Sequence, residues 1–348
     1  MIPDEIFTAY GIDKNAENIA LQNGLINSTW KIKHENEYFI LQKINQAVFK
    51  NPIAIASNVR LISDYLTKTN PHYLFVAPVK TINGDEMVKT SNNYFRLIPF
   101  VKNSHTISTV EKPEQAFEAA RKFGEFTRLL SLFPAKKLQI TLPDFHNLTL
   151  RYQQFLNALK TGNRKRLEES KDLIDLIETN KNIVYTYEDI LKNPSFKLRV
   201  THHDTKISNV LFDDNDKGLC VIDLDTVMAG YFISDVGDMM RTYLSAVNEE
   251  EKGFSKIEIR ENYFKSIWEG YMGEMKHELN EEEKRHFIYS GKFMIYMQAL
   301  RFLADHLNND VYYGAKYESQ NFIRAGNQMV LLQRLIEKEK TLQEIIDE

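Results

Sequence analysis

The sequence predicts an α+β protein in which a small, β-rich N-terminal part precedes a larger, mostly helical C-terminal part. Three observations predict it. Residues 1–101 alternate short β-type runs with turn-forming clusters, residues 102–348 carry apolar positions at helical spacing, and a single β segment at 197–223 interrupts those helices. The change of pattern predicts two domains, 1–101 and 102–348.

In the first part the β-type runs are 28–33, 38–43, 74–79 and 94–100. Breaks at Gly24, His34-Glu35-Asn36, Asn83-Gly84 and Ser91-Asn92-Asn93 separate or flank them. One helix is expected over 52–67, with Ile53, Ala56, Val59, Ile62 and Leu66 on its buried face. The next helix, over 111–133, repeats Phe117, Ala120, Phe123, Phe126 and Leu130 every three or four residues, the pattern of a core stripe. From Glu249 onward the chain reads as helical and rich in aromatics.

Composition narrows the function classes. A net charge of −4 and a pI near 6.2 give no overall basic footprint for nucleic acid. The tract Lys160 to Arg166 is locally basic, but Glu168, Glu169 and Asp172 follow it at helical spacing, so it reads as a solvated helix. No stretch reaches the roughly 18 apolar residues of a membrane span, and residues 1–11 lack a basic region followed by an apolar run. A cytoplasmic protein with small-molecule partners is expected, with neither membrane nor nucleic acid among them. The one cysteine, Cys220, lies in the apolar run Leu219-Cys220-Val221-Ile222 and reads as buried packing.

The β island concentrates the chemistry. A short strand, 197–201, ends at His202-His203-Asp204-Thr205-Lys206-Ile207-Ser208-Asn209; the runs 210–212 and 219–222 then flank an Asp/Asn/Gly turn, which predicts a hairpin. The residue before the first strand of a hairpin and the residue after the second meet at its open end. Asn209 and Asp223 therefore face one small volume, and an amide oxygen beside a carboxylate suits Mg²⁺ carrying a nucleotide's phosphates. Asp204, in the preceding loop, can reach the same volume and accept the proton of an attacking hydroxyl. Lys206 can neutralise charge on a transferring phosphoryl group. His202 is expected to pack and hydrogen-bond beneath the loop.

His202-x-Asp204-x-x-x-x-Asn209, a hairpin, and then Ile222-Asp223-Leu224-Asp225 resembles the catalytic and metal loops of the protein-kinase-like superfamily. More closely, it resembles the aminoglycoside phosphotransferase and choline kinase branch, whose members phosphorylate small hydroxyl compounds. The resemblance implies a protein-kinase-like bilobal fold, with a nucleotide-binding lobe over 1–101 and a catalytic and substrate-binding lobe over 102–348, using ATP and Mg²⁺. It places Asn27, Ser28 and Thr29 in the phosphate-covering loop, and either Gln42 or Lys43 toward the α- and β-phosphates. The helix that follows offers no glutamate partner for either. Pro99 and Val101 fall in the adenine hinge, Asp225 beside the metal, and Asp235 and Asp238 among residues that brace the loops.

Gly24-Leu25-Ile26-Asn27, Ile40-Leu41-Gln42-Lys43-Ile44-Asn45, Val48-Phe49-Lys50-Asn51-Pro52, His203-Asp204-Thr205-Lys206 and the segment 300–313 together are similar to the N-acetylhexosamine 1-kinases. That likeness implies transfer to the anomeric hydroxyl of N-acetylglucosamine or N-acetylgalactosamine, with Arg301 and Tyr312 on the sugar. A kinase of another small alcohol, such as choline, an amino alcohol or an aminoglycoside, would keep Asp204, Asn209 and Asp223. A non-catalytic nucleotide-binding module would need one of them broken.

Overall fold

A computed structural model describes residues 2–21 and 26–348. A short helix, α1 (Asp4–Ala9), precedes strands β1 (Asn18–Leu21), β2 (Ser28–His34) and β3 (Glu37–Lys43), then helix α2 (Pro52–Thr69) and strands β4 (Val88–Lys89) and β5 (Tyr94–Pro99). The five strands form one antiparallel sheet in the order β1-β2-β3-β5-β4. Side chains alternate across a strand, so register decides which residues share a face. Ile32, Leu41, Phe95 and Leu97 pack with Ile6 and Phe7 of α1 in a small cluster. The opposite face carries Thr29, Gln42 and Arg96 in one row and Lys31, Ile40 and Ile98 in the next.

The expected strand over 74–79 is instead irregular backbone, with Ala77 N donating to Phe75 O at 3.1 Å and a single bridge, Val79 to Leu97. Pro78 has no N–H to donate to a ladder, which keeps the segment out of the sheet. Helix α2 starts where Asn51 Oδ1 accepts from Ala54 N at 3.3 Å and Pro52 presets the first turn. Ala56, Val59, Ile62 and Leu66 are buried as expected, but Ile53 is 51% exposed and Ile55 is buried instead. Ile53 stands about 160° around the helix from Ile55. Although α2 precedes residue 101, its buried face joins the larger cluster, and Asn58 Nδ2 donates to Gln139 O and Val227 O at 2.8 and 3.1 Å.

The C-terminal part runs α3 (Pro113–Leu129), α4 (Leu148–Thr161), α5 (Arg164–Glu169), α6 (Lys171–Thr179), α7 (Asn182–Lys192), β6 (Arg199–Thr201), β7 (Val210–Phe212), β8 (Gly218–Val221), β9 (Met228–Gly230), α8 (Phe232–Tyr243), α9 (Glu261–Met275), α10 (Glu281–Arg285), α11 (Phe287–Leu307) and α12 (Gln320–Asp347). Helix α3 is shorter than the expected 111–133, bounded by Pro113 at its start and leaving the helix at Leu130. Its stripe packs on α9, where Gly270 permits the approach: a Cβ there would lie 2.4 Å from Phe117 O. Helix α11 is apolar nearly all round and runs through the core. Among the described residues no helix is long and apolar enough to cross a membrane.

The island appears as two small ladders, β7 with β8 and β6 with β9. The hairpin forms as expected, with Val210 opposite Val221, and Cys220 is buried. The basic tract falls at the turn between α4 and the solvent-facing α5. Arg166 is the exception, reaching Asp310 Oδ2 and His306 O at 2.6 Å and pinning the end of α11.

Beneath β6, Glu283 takes Arg199 through both oxygens at 2.5 and 2.9 Å and accepts Lys197 N at 3.0 Å, all in the interior. Removing one partner of such a pair strands the other's charge. Glu283→Ala therefore costs about 3–5 kcal/mol, read as a lowered denaturant midpoint; a midpoint equal to the parent's would show that the strand is anchored elsewhere.

Candidate active site between the sheet and the island

Strand β6 delivers the chain to a loop braced from below by α8. Asp235 accepts His202 N at 2.9 Å and His203 N at 2.7 Å; Asp238 accepts Thr205 N at 2.8 Å. Thr205 Oγ1 donates to Asp235 O at 2.7 Å and Tyr243 OH to Thr205 O at 2.5 Å. This bonding holds His203 at φ 66°, a left-handed conformation uncommon for a histidine. Burial pushes Asp235 up to about 7, and burial likewise raises Asp238 despite Arg241 at 3.0 Å.

The loop presents Asp204, half-buried, with Lys206 Nζ at 2.7 Å from its Oδ2. Burial alone would raise the Asp204 carboxyl, but the lysine's charge and hydrogen bond hold it below its ordinary value. Burial would lower Lys206, and Asp204 raises it instead. The pair is carboxylate and ammonium at neutral pH.

Asn209 donates Nδ2 to Asp204 O at 2.8 Å, and its backbone O accepts Ile222 N at 2.9 Å, which closes the hairpin's open end. His202, buried beneath the loop, sets Nε2 at 2.9 Å from Ile222 O, so that nitrogen carries the proton and ties the base loop to the metal loop. Asp223 sits at φ 61°, with its surface open to solvent but protein around it. That confinement first, then the carboxylates of Asp225 and Asp204, push it up to about 7. Neither Asn209 Oδ1 nor the Asp223 carboxylate accepts a hydrogen bond among the described residues. These are hard oxygen donors in a negative field, which fits Mg²⁺. No three His, Cys, Asp or Glu side chains converge on a metal position among the described residues, so two protein donors with phosphate and water oxygens would complete the shell.

Above lies the sheet. Residues 23–25, expected in the phosphate loop, fall outside the described residues. Ser28 is exposed and Thr29 half-buried along a hollow of about 360 Å³ that Asn27 also lines. Asn27 itself is buried and engaged at both ends: Oδ1 accepts Asn45 N at 3.0 Å, and Nδ2 donates to Asp225 Oδ2 at 2.8 Å. Gln42 is on the face turned to the island; Lys43 is on the other face with Leu41. Gln42 Oε1 accepts from Arg96, whose Nη1 lies 2.5 Å from Asp225 Oδ1. Arg96 belongs to none of the motifs, although a lone charge inside Tyr94-Phe95-Arg96-Leu97-Ile98 is a visible signal in the sequence. Pro99 is exposed; Val101 O accepts Ser104 Oγ at 2.7 Å, in the segment where His105 bridges to Phe212 of the hairpin.

Arg301 and Tyr312 meet in a cavity of about 490 Å³ with Arg151, Gln154, Asn157 and Tyr313. Tyr312 is 73% exposed, and Asp305 fixes the backbone there by accepting the N–H groups of Tyr312 and Tyr313 at 2.7 and 2.9 Å. Arg301 binds Gln298 Oε1 and Arg151 binds Gln154 Oε1 and Asp144 O, but neither pairs with a carboxylate at contact distance among the described residues. Burial and then the charge of Arg301 lower the Arg151 pKa. Asp204 does not line this cavity. Phe145 and His146 bridge the two, with ring centroids 5.3 Å apart between His146 and His203 and Phe145 6.0 Å from the Arg301 guanidinium.

Residues 18–258 match the model of the phosphotransferase enzyme family, more than half of the chain and all of the base and metal loops. The chain belongs to this family. Among solved structures, the phosphotransferase is similar to a microcompartment-associated aminopropanol kinase (14% identity, 97% of each chain, TM-score 0.64). It is also similar to spectinomycin phosphotransferase in complex with ADP and spectinomycin (15%, 97% of each chain, 0.61) and to choline kinase from Cryptosporidium parvum (14%, 96% of this chain and 92% of that one, 0.56). At these identities the likeness establishes the fold, a small N-terminal β lobe over a larger helical lobe. Arg301 and Tyr312 lie beyond the matched residues, in the part of the phosphotransferase that the family model does not describe.

Proposed function

We propose that this phosphotransferase is an ATP- and Mg²⁺-dependent kinase that phosphorylates the anomeric hydroxyl of N-acetylglucosamine or N-acetylgalactosamine. The observation that carries the reading is the cavity joined to the Asp204 loop through Phe145 and His146. Its two guanidiniums lack carboxylate partners, amides and tyrosine rings surround them, and the one carboxylate of the lining, Asp305, is engaged by the N–H groups of Tyr312 and Tyr313 and by Asn321. Such a lining suits an oxygen-rich, uncharged acceptor, whose hydroxyl and acetamido oxygens can take guanidinium N–H groups while a ring face meets tyrosine. It repels the ammonium of choline or an amino alcohol. Base and metal positions are intact, which favours an enzyme over a non-catalytic module.

In this reading Asp204 accepts the proton of the anomeric hydroxyl and orients its oxygen for in-line attack. Lys206, released from Asp204, meets the charge of the transferring phosphoryl group. Mg²⁺, held by Asn209 and Asp223, supplies charge neutralisation on the phosphates. Ser28 and Thr29 offer hydroxyls and amides to the phosphates, and backbone around Pro99 and Val101 holds the purine.

Incubation with ATP, Mg²⁺ and either N-acetylhexosamine is expected to give the 1-phosphate, and the methyl glycoside, which lacks the nucleophile, no product. Arg301→Ala raises the sugar KM by roughly 5- to 150-fold, the worth of a charged hydrogen bond, with the ATP KM little changed. Phosphorylation of the methyl glycoside would overturn the anomeric assignment. Turnover of choline or aminopropanol in place of the sugars would leave a kinase of another small alcohol.

A further inference from the structure

Strand β3 presents no lysine to the cleft, because alternation sends Lys43 to the face that packs on α1 and leaves Gln42 inside. A cation nevertheless occupies this place. Arg96 stands opposite Gln42 on β5; its Nε and Nη2 donate to Gln42 Oε1 at 2.9 and 2.7 Å, and Nη1 lies 2.5 Å from Asp225 Oδ1. Asn27 Nδ2 takes the other oxygen of Asp225 at 2.8 Å. Both oxygens of a carboxylate in the metal loop thus meet groups of the N-terminal part, one by a hydrogen bond from Asn27 and one by the ion pair with Arg96.

Stability is a poor reason for such a pair. Arg96 and Asp225 are each 3% exposed, and desolvating two charges offsets most of their attraction, so apolar side chains of similar volume would serve the fold as well. Its place is informative. Asp225 is two residues from Asp223, so Arg96 is anchored at the loop that carries the proposed metal ligand. Of the five guanidinium N–H groups, two donate to Gln42 Oε1, one from Nε and one from Nη2; Nη1 meets Asp225 Oδ1 as an ion pair without a hydrogen bond, so its N–H groups and the second of Nη2 have no acceptor among the described residues.

We propose that Arg96 is the cation this phosphotransferase sets against the nucleotide's phosphate chain, held in position by Gln42 and Asp225. The proposal rests on the kinase reading of the site. A planar fork matches phosphate oxygens in two directions at once, so Arg96 can keep Asp225 while engaging a nucleotide.

The test is binding of ADP and of adenosine to the full chain by calorimetry, without metal. Adenosine lacks phosphates, so a merely structural lesion would weaken both ligands alike. In Arg96→Met, ADP is expected to bind about tenfold more weakly or worse while adenosine changes less than about twofold. Arg96→Lys, which keeps the charge, recovers most of the loss. If the methionine variant does not fold, Arg96→Gln, which can hydrogen-bond Asp225, gives the same comparison. Unchanged ADP affinity in a folded variant, or equal weakening of ADP and adenosine, would overturn the role of Arg96. A parent chain that binds neither ligand would overturn the kinase reading itself.

Discussion

Asp204→Asn lowers turnover by about 10²-fold or more while ADP affinity stays within about twofold of the parent's. The amide occupies the same volume and can still accept from Lys206, which lies 2.7 Å from the carboxylate, so the loop keeps its shape. It cannot take a proton. General-base catalysis contributes about 10²–10⁴-fold, and the whole of it acts in the chemical step, so kcat falls and nucleotide binding does not. The braces beneath the loop are independent of this side chain, since Asp235 and Asp238 bind backbone N–H groups of residues 202, 203 and 205. Steady-state turnover with calorimetric ADP binding checks it; turnover within about threefold of the parent's removes Asp204 from the role of base.

The second large effect is expected at Asp223. Alanine there deletes the only carboxylate of the two-donor metal set, and turnover falls by on the order of 10³-fold with a Mg²⁺ requirement at least about tenfold higher. Backbone conformation complicates this variant, because Asp223 sits at φ 61°, where alanine is strained and asparagine is tolerated. Asp223→Asn separates the two causes. It keeps the left-handed turn and loses the charge, so it stays close to the alanine variant in both readouts. A Mg²⁺ titration that superimposes on the parent's for both variants would mean that the hairpin's open end does not hold the metal.

How much was legible follows from distance along the chain. Asp204, Asn209, Asp223 and the hairpin between them, the base and metal positions of the proposal, lie within residues 202–223, and turn chemistry plus strand pairing accounts for their proximity. The brace at Asp235 and Asp238 was legible as acidic residues but only the resemblance gave it a role, since its partners are backbone N–H groups that no side-chain pattern announces. Ile53 was misplaced because one residue at the start of a helix tests a periodicity weakly. The segment 74–79 looked like a strand by composition, and its proline decided otherwise.

By itself the sequence determined the α+β class, the order of the two parts and the hairpin over 210–221, all consequences of local periodicity and turn residues. Tertiary structure decided the rest. Whether Gln42 or Lys43 faces the cleft depends on which side of the sheet α1 covers, and Asn27 meets Asp225 across 198 residues of chain. The two guanidiniums of the cavity at Arg151 and Arg301 come from separate helices, α4 and α11. Such meetings are set by how faces pack, and a linear pattern of residues does not encode which two faces will meet.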